Sequence, residues 1–305
     1  MFATIGIVSP GDMGHAVGRV LKGGGRRVLT SLAGRSARSR KFAEAAGLED
    51  AGSLNGVMAA ADLVLSIMPP ASALGFAREA ATAMQRTGKR PHFVDCNAIS
   101  PATVQEISRV IASAGATFSD CGIIGPPPGG RGTGATAQGQ ATRLYVSGPH
   151  AETLKELDGN GIAIKPLGVE VGRASGMKMV YSALNKGALG LYTATLITAE
   201  RLGLTGELMS ELGASQKAIH ERINAAVPWL ATDAERWIGE MEEISATFAS
   251  VGVTPRYHEG AADIYRLLAA SPLSAEKRET ADRARSLEAS LRIFAATLEG
   301  RKAAE

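Results

Sequence analysis

The first fourteen residues constrain the fold most. Residues 2–8, Phe-Ala-Thr-Ile-Gly-Ile-Val, form a short apolar run rich in β-branched side chains, the pattern of a strand buried on both faces of a parallel sheet. Ser9-Pro10-Gly11-Asp12-Met13-Gly14 then turns the chain, and Ala16-Val17-Gly18-Arg19-Val20-Leu21 continues as a helix-like segment ended by Gly23-Gly24-Gly25. A strand that enters a helix through a glycine turn leaves the first helical N–H groups and the positive end of the helix dipole facing the turn. That order of elements opens a doubly wound α/β domain.

The alternation continues as far as residue 168. Arg27–Leu32 and Asp62–Met68 read as strands, the latter stopped by Pro69-Pro70, because proline cannot continue a sheet ladder. His92-Phe-Val-Asp95 repeats the form, with Asn97 at its polar edge and Ser100-Pro101 as N-cap and first helical residue. Ala116–Gly125 is a further strand, followed by the Pro- and Gly-rich loop Pro126–Gly134, which reads equally as a substrate loop or a surface excursion. Arg143–Gly148 and Ile162–Pro166 close this half. Beyond Gly172 the chain is Ala- and Leu-rich and helical in pattern over 172–202, 205–224, 231–251, 259–268 and 275–302. Met179, Leu184, Leu191, Leu196 and Leu202 have spacings compatible with one apolar helical face. The expected architecture is a Rossmann-like doubly wound N-terminal domain, 1–168, and an all-α C-terminal domain, 169–305, led by a long interdomain helix.

Composition narrows the function classes. An apolar fraction of 45% with 21% charged residues suits a globular protein of this 305-residue length, and no segment approaches the roughly 18 uninterrupted apolar residues of a membrane span. The N-terminus lacks a basic n-region, so neither a secretory signal nor membrane association is expected, and the location expected is cytoplasmic. A formal net charge of +3 is too small to mark a nucleic-acid surface. Cys96 and Cys121 have no disulfide framework or metal-ligand spacing and read as buried small hydrophobes. His15, His92, His150, His220 and His258 are scattered, so no metal site is expected, although His258 precedes a late helix that could reach a cleft.

The glycine turn suits a dinucleotide. In the pattern G-x-G-x-x-G the first glycine is here Ser9, whereas Gly11 and Gly14 are kept, allowing close approach of a pyrophosphate and tight helix packing. The same residues would also serve a purely structural turn. As a cofactor site the turn comprises Ser9, Pro10, Gly11, Asp12, Met13 and Gly14, with Met68, Pro69 and Asn97 bordering it from the ends of later strands. A site selective for NAD usually places Asp or Glu after the second strand. Here Thr30 and Ser31 lead to Arg35 and Ser36, suited to a ribose 2′-phosphate, so NADP is expected and NAD remains possible. Arg38 and Arg40 read equally as a solvated start to the next helix.

These motifs together resemble the β-hydroxyacid dehydrogenase superfamily, which includes 3-hydroxyisobutyrate and 6-phosphogluconate dehydrogenases. Ile5-Gly-Ile-Val-Ser-Pro-Gly11-Asp-Met13-Gly14 is similar to the family's I-G-F-I-G-L-G-x-M-G, and Asp95-Cys-Asn97-Ala-Ile-Ser-Pro101 to its D-x-S-T-x-x-P. Gly172 and Lys178 keep the spacing of G-x-G-x-x-x-K-x-x-x-N. The pattern looks most like the subgroup of phosphogluconate-dehydrogenase-like proteins with a distinct C-terminal domain. The resemblance implies that Lys178 is the general acid/base and that a residue further along the same helix positions substrate. The family's asparagine is Ser182 here, and Asn185 lies seven residues after the lysine, so either could hold substrate. The family's D-A-P-V-S-G-G loop becomes Asp120-Cys-Gly-Ile-Ile124-Gly125-Pro126, which puts Ile124, Gly125 and Pro126 at substrate and removes a hydroxyl at Ile124. A second family lysine becomes Glu242 in Glu242-Glu243-Ile244. Family members dimerise through the helical domain, so a homodimer is implied.

Three functions remain open at this point. The leading one is hydride transfer between a nicotinamide and a small hydroxy acid, alcohol or the corresponding carbonyl. The others are reduction of a C=N bond, and dinucleotide binding without catalysis, for which Ser9, Ile124 and Glu242 speak.

Overall fold

The computed structural model describes residues 1–129, 141–277 and 280–302, the side chains of 299–302 excepted. The chain divides into two compact units, Met1–Met179 and Val180–Glu305.

Unit 1 is an eight-stranded sheet in the order β3-β2-β1-β4-β5-β6-β7-β8. In chain order its elements are β1 (Thr4–Val8), α1 (Asp12–Gly23), β2 (Arg27–Thr30), α2 (Ala37–Ala45), β3 (Glu49–Asp50), α3 (Leu54–Ala60), β4 (Leu63–Ser66), α4 (Pro70–Thr87), β5 (His92–Asp95), α5 (Pro101–Ser113), β6 (Phe118–Ile124), β7 (Thr142–Ser147) and β8 (Ile162–Pro166). A 3₁₀ turn, Ala151–Leu157, precedes β8. All pairs are parallel except β6 with β7. The side-chain alternation of each strand feeds two cores. Ile5, Ile7, Leu63 and Leu65 pack on one face with Val17 and Leu21 of α1, and Val8, Val64 and Phe93 pack on the other with α4 and α5. Each such buried aliphatic side chain contributes roughly 1.5–3 kcal/mol.

The helices begin where the sequence places caps. Ser36 and Ser100 accept from the N–H groups of Ser39 and Thr103, satisfying one otherwise unpaired donor at the start of α2 and α5, and Pro101 opens α5. Thr30 departs from expectation. It is fully buried, and its hydroxyl donates to the Ile7 carbonyl at 2.8 Å, so it stitches β2 to β1 and does not face a ribose.

The division between units falls inside α6 (Arg173–Ser182). Its first turns pack on β6, and so belong with the sheet.

Unit 2 is helical. A five-residue π turn, Ala183–Gly187, leads into α7 (Ala188–Leu202), followed by α8 (Thr205–Ser215), α9 (Lys217–Ala226), α10 (Ala231–Ser250), α11 (Arg256–Ala269) and α12 (Leu287–Lys302). Three sequence expectations are corrected here. The run 205–224 is broken at Gln216, whose ψ of 57° is not helical, so α8 and α9 are separate. The last helix starts at Leu287 and not near 275; just ahead of it Arg285 clasps both carboxylate oxygens of Glu276 at 2.6 and 2.9 Å. The supposed single apolar face is two: Met179 and Leu196 are buried, whereas Leu184, Leu191 and Leu202 are 76%, 59% and 66% exposed. A π turn adds a residue to the helical repeat and shifts the face that follows.

A buried polar cluster surrounds the π turn. The Lys186 ammonium pairs with Glu240 and lies 5.1 Å from the Trp237 ring, and Tyr265 donates its hydroxyl to the Lys186 carbonyl at 2.6 Å. Burial pushes the lysine down from its ordinary value while Glu240 opposes that shift. No helix among the described residues is long and apolar enough to cross a membrane.

Candidate functional site

The site is built at the C-terminal ends of the parallel strands, where open α/β sheets receive ligands. At the first crossover Gly11 precedes α1, whose N-terminus carries no side-chain cap. Gly14 is obligatory, since a Cβ there would lie 2.1 Å from the Ser9 carbonyl oxygen, whereas a Cβ on Gly11 meets nothing within 4 Å. Gly14 therefore lets the helix seat on the turn, and Gly11 leaves open space beside uncapped N–H donors. That combination fits a pyrophosphate. Ser9 is fastened to the end of β4 by its N–H to the Ile67 carbonyl at 3.1 Å, and Pro10 is buried beneath the turn. Asp12 pairs with Arg38 at 3.0 Å, and Arg38 lies over the Phe42 ring, against whose other partner, His15, the ring stacks at 4.2 Å. Met13 is half-buried against the core.

After β2, Ser36 is engaged as the α2 cap, and Arg40 donates to the Leu32 carbonyl at 2.7 Å. Arg35 has no ion-pair or side-chain hydrogen-bond partner among the described residues, which leaves its guanidinium available at the position where a 2′-phosphate would be read. Asn97 behaves differently from a ligand-facing amide. It is 2% exposed, accepts from the Met68 N–H at 2.7 Å, and donates to Ser66 at 3.0 Å and Asp95 at 2.8 Å. Its side chain ties the ends of β4 and β5 together and so shapes the Met68-Pro69 rim, with Pro69 exposed as the residue before α4.

Lys178 lies on α6, where three nearby positions of β6 hold the helix. Asp120, fully buried, accepts at Oδ2 from Ser147 Oγ at 3.1 Å, from the Gly172 N–H at 3.0 Å and from the Ser175 N–H at 2.9 Å, and at Oδ1 from Ser175 Oγ at 2.6 Å. Burial pushes this carboxyl up, and the donors on Ser175, Ser147 and Gly172 pull it back. A carboxylate under the first turn of a helix also complements its dipole. Two residues on, Gly122 admits the helix backbone. A Cβ there would stand 2.6 Å from the Ala174 carbonyl oxygen and 2.9 Å from Lys178 Cβ. The Ile123 carbonyl then accepts from Lys178 Nζ at 2.7 Å. The half-buried lysine is thus aimed along β6 towards its C-terminal end.

Asp120, Gly122, Ser147 and Ser175 were not singled out by sequence reasoning as parts of the site. The available signal was the pairing of a strand Asp with a Ser in the first turn of the lysine helix. Of the substrate candidates, Ile124 is buried, Gly125 is exposed with φ of +119°, and Pro126 accepts from Thr142 Oγ1 at 2.6 Å. Most of the loop expected over 126–134 lies outside the described residues. Ser182 ends α6 and is 2% exposed. Asn185 falls within the π turn, so it does not keep the regular two-turn spacing from the lysine. Its amide donates to the Tyr181 carbonyl at 3.2 Å and accepts from Arg222 Nη2 at 3.2 Å. His258 is buried beside Phe248, its Nδ1 without a hydrogen-bond partner, and burial lowers its pKa. Glu242 pairs with Arg266 on the surface. No group of three or more His, Cys, Asp or Glu able to hold a metal occurs among the described residues, and both cysteines are free and buried.

Residues 4–148 match the model described as the NAD binding domain of 6-phosphogluconate dehydrogenase. Residues 199–268 match a second model, the domain of unknown function DUF1932. NAD-binding domain and DUF1932 domain together bear out the subgroup resemblance read from the sequence motifs. An uncharacterised 28.5 kDa protein in the 7S RNA 5′ region of Methanothermus fervidus is 29% identical over 210 residues, 68% of this chain and 75% of that protein. Among solved structures, a conserved protein of unknown function, described as structurally similar to 3-hydroxyacid dehydrogenases, shares 29% identity over 87% of this chain and 96% of its own, with a TM-score of 0.61. The 3-hydroxyisobutyrate dehydrogenase of Mycobacterium tuberculosis, with L-serine, superposes over 96% of this chain and 99% of its own at 19% identity, with a TM-score of 0.65. These likenesses show the fold of the 3-hydroxyacid dehydrogenases.

Proposed function

We propose that the protein is an NADP(H)-dependent oxidoreductase that transfers hydride between the nicotinamide and a small hydroxy acid or alcohol, or the corresponding carbonyl. The observation that carries this reading is the seating of Lys178, its Nζ 2.7 Å from the Ile123 carbonyl at the ligand-binding end of the sheet. The open glycine turn supports dinucleotide binding, and Arg35 supports the choice of NADP over NAD.

The bound nicotinamide supplies or accepts the hydride. The protein handles the proton: as the substrate oxygen gains charge, Lys178 donates from Nζ, and in the reverse direction it takes the hydroxyl proton. Anchoring by Asp120 and Gly122 restricts where that nitrogen can stand, so little orientation is left to be found during the reaction. Asn97 and the turn at Gly11 organise the cofactor side without taking part in proton transfer.

The test is Lys178→Ala, with NADPH affinity measured by fluorescence titration and turnover measured on a panel of hydroxy acids, aldehydes, ketones and cyclic imines. Cofactor affinity within about twofold of wild type with turnover reduced on the order of a hundredfold or more supports the assignment. Unchanged turnover overturns it. Activity confined to the imines would move the reaction to C=N reduction, and tight NADPH binding with no turnover on any member would make the protein a dinucleotide-binding module. We also propose a homodimer through the helical unit. Its support is α8, which has no buried residue, and the exposed Leu184, Leu191, Leu202 and Leu204. Light scattering at micromolar concentration checks the mass.

A further inference from the structure

α10 and α11 are joined by the short connection 251–255, and a concavity of about 380 Å³ opens along the seam between them. That volume falls in the range of small-molecule sites, roughly 300–1,000 Å³. Its apolar lining is made of small side chains: Ala246 and Ala249 of α10, and Ala262 of α11. Larger side chains at these positions would fill the space.

Ser245 also lines the concavity, at 8% exposure. A serine or threonine inside a helix commonly spends its hydroxyl on a carbonyl of the preceding turn. Thr247 does so, donating to the Glu243 carbonyl at 2.8 Å, and Ser250 donates to the Thr247 carbonyl at 2.7 Å. Ser245 Oγ, by contrast, has no hydrogen-bond partner among the described residues. A buried hydroxyl left unpaired is unfavourable, and a ligand that hydrogen-bonds to it removes that cost.

The charged residues decide what kind of ligand this is. Glu242 of α10 and Glu259 and Asp263 of α11 line the same space. Arg266 serves two of them, pairing with Glu242 and, at 2.7 Å, with Asp263. The Glu259 carboxylate has no ion-pair or hydrogen-bond partner among the described residues, and it stands one helical turn before Asp263, a spacing at which like charges repel. One guanidinium among three carboxylates leaves an excess of two negative charges. These acids do not converge as metal ligands would, since no metal-holding group occurs among the described residues. The excess therefore suits positive charges spread along an organic molecule. Carboxylate and hydroxyl oxygens accept hydrogen bonds, an ammonium group donates three, and a methylene chain packs on alanine methyls.

We propose that the concavity between α10 and α11 binds a linear aliphatic diamine in its doubly protonated form. The carboxylates and the Ser245 hydroxyl receive the ammonium groups, and the methylenes lie over Ala246, Ala249 and Ala262. This site is independent of the reading of Lys178.

The experiment titrates putrescine into the full-length protein in a calorimeter at fixed ionic strength, for wild type, Glu259→Gln and Ser245→Ala. Butylamine, the uncharged diol of the same chain length and magnesium chloride are titrated for comparison. Putrescine is expected to bind wild type at least about tenfold more tightly than butylamine or magnesium, with no binding of the diol. Glu259→Gln should weaken putrescine binding at least about tenfold and Ser245→Ala about threefold or more. Glu259 is exposed and Ser245→Ala removes only an unpaired group, so thermal melts of both variants should match or exceed wild type. Absence of putrescine binding to wild type, equal affinity for magnesium and putrescine, or wild-type affinity in either variant overturns the proposal.

Discussion

Ser175 gives Asp120 both of its donors, the backbone N–H at 2.9 Å and the hydroxyl at 2.6 Å. One strand carboxylate thereby fixes the start of the helix that presents Lys178. Hydrogen bonds to a charged acceptor contribute about 1.5–3 kcal/mol each. Ser175→Ala should therefore lower unfolding stability by that amount in a urea titration, and Asp120→Asn by more, since its NH₂ group would face N–H donors. A Ser175→Ala variant as stable as wild type would show that the joint carries no load.

Gly11 and Gly14 should separate on substitution although they sit in one turn. Gly14→Ala drives a Cβ to 2.1 Å from the Ser9 carbonyl oxygen and must displace α1, so both the melting temperature and NADPH affinity fall. Gly11→Ala meets nothing within 4 Å, so the fold stands and affinity alone falls. Parallel thermal melts and NADPH titrations decide this. Equal effects in the two variants would contradict the division of roles.

Arg35→Ala is expected to weaken NADPH binding by roughly ten- to a hundredfold, the worth of one or two charge-assisted contacts, while NADH affinity stays within twofold. Comparison of the two dissociation constants at fixed ionic strength is the measurement. Equal loss for both cofactors would remove Arg35 from 2′-phosphate recognition.

His92 makes stability depend on acidity. It is 7% exposed, its ring nitrogens lie 2.7 Å from Thr117 Oγ1 and 3.0 Å from Ser119 Oγ, and burial, helped by His150, lowers its pKa from 6.5 to about 4. Since the unfolded chain takes up the proton first, this contribution is complete above pH 6.5 and is lost as the pH falls towards 4, by roughly 3 kcal/mol at most. His92→Gln should flatten the stability profile across that window in denaturant titrations at stepped pH. An unaltered slope would assign the acid sensitivity elsewhere.

Much of the first unit was legible because its signals are local. The apolar strand runs, the glycine turn and the Ser36 and Ser100 caps each act within a few residues and appear where the sequence puts them. What escaped depends on contacts distant in the chain. Thr30 reads as a rim hydroxyl until Ile7 is seen to accept from it. Asn97 reads as a ligand contact until Ser66, Asp95 and Met68 are found around it. The break at Gln216 and the π turn at Ala183–Gly187 have no proline to announce them. For Asp120 and Ser175, fifty-five positions apart, no window of the sequence contains both.

The reversal of β7 against β6 has a consequence for how such a protein can diverge. Because the direction flips, the first residues of β7 arrive at the rim where β6 ends, although they are remote in sequence from the lysine helix. A substitution at the start of β7 can thus reshape this rim while the sequences of the lysine helix and the glycine turn stay as they are. The rim is therefore assembled from segments of the chain that can change independently of one another.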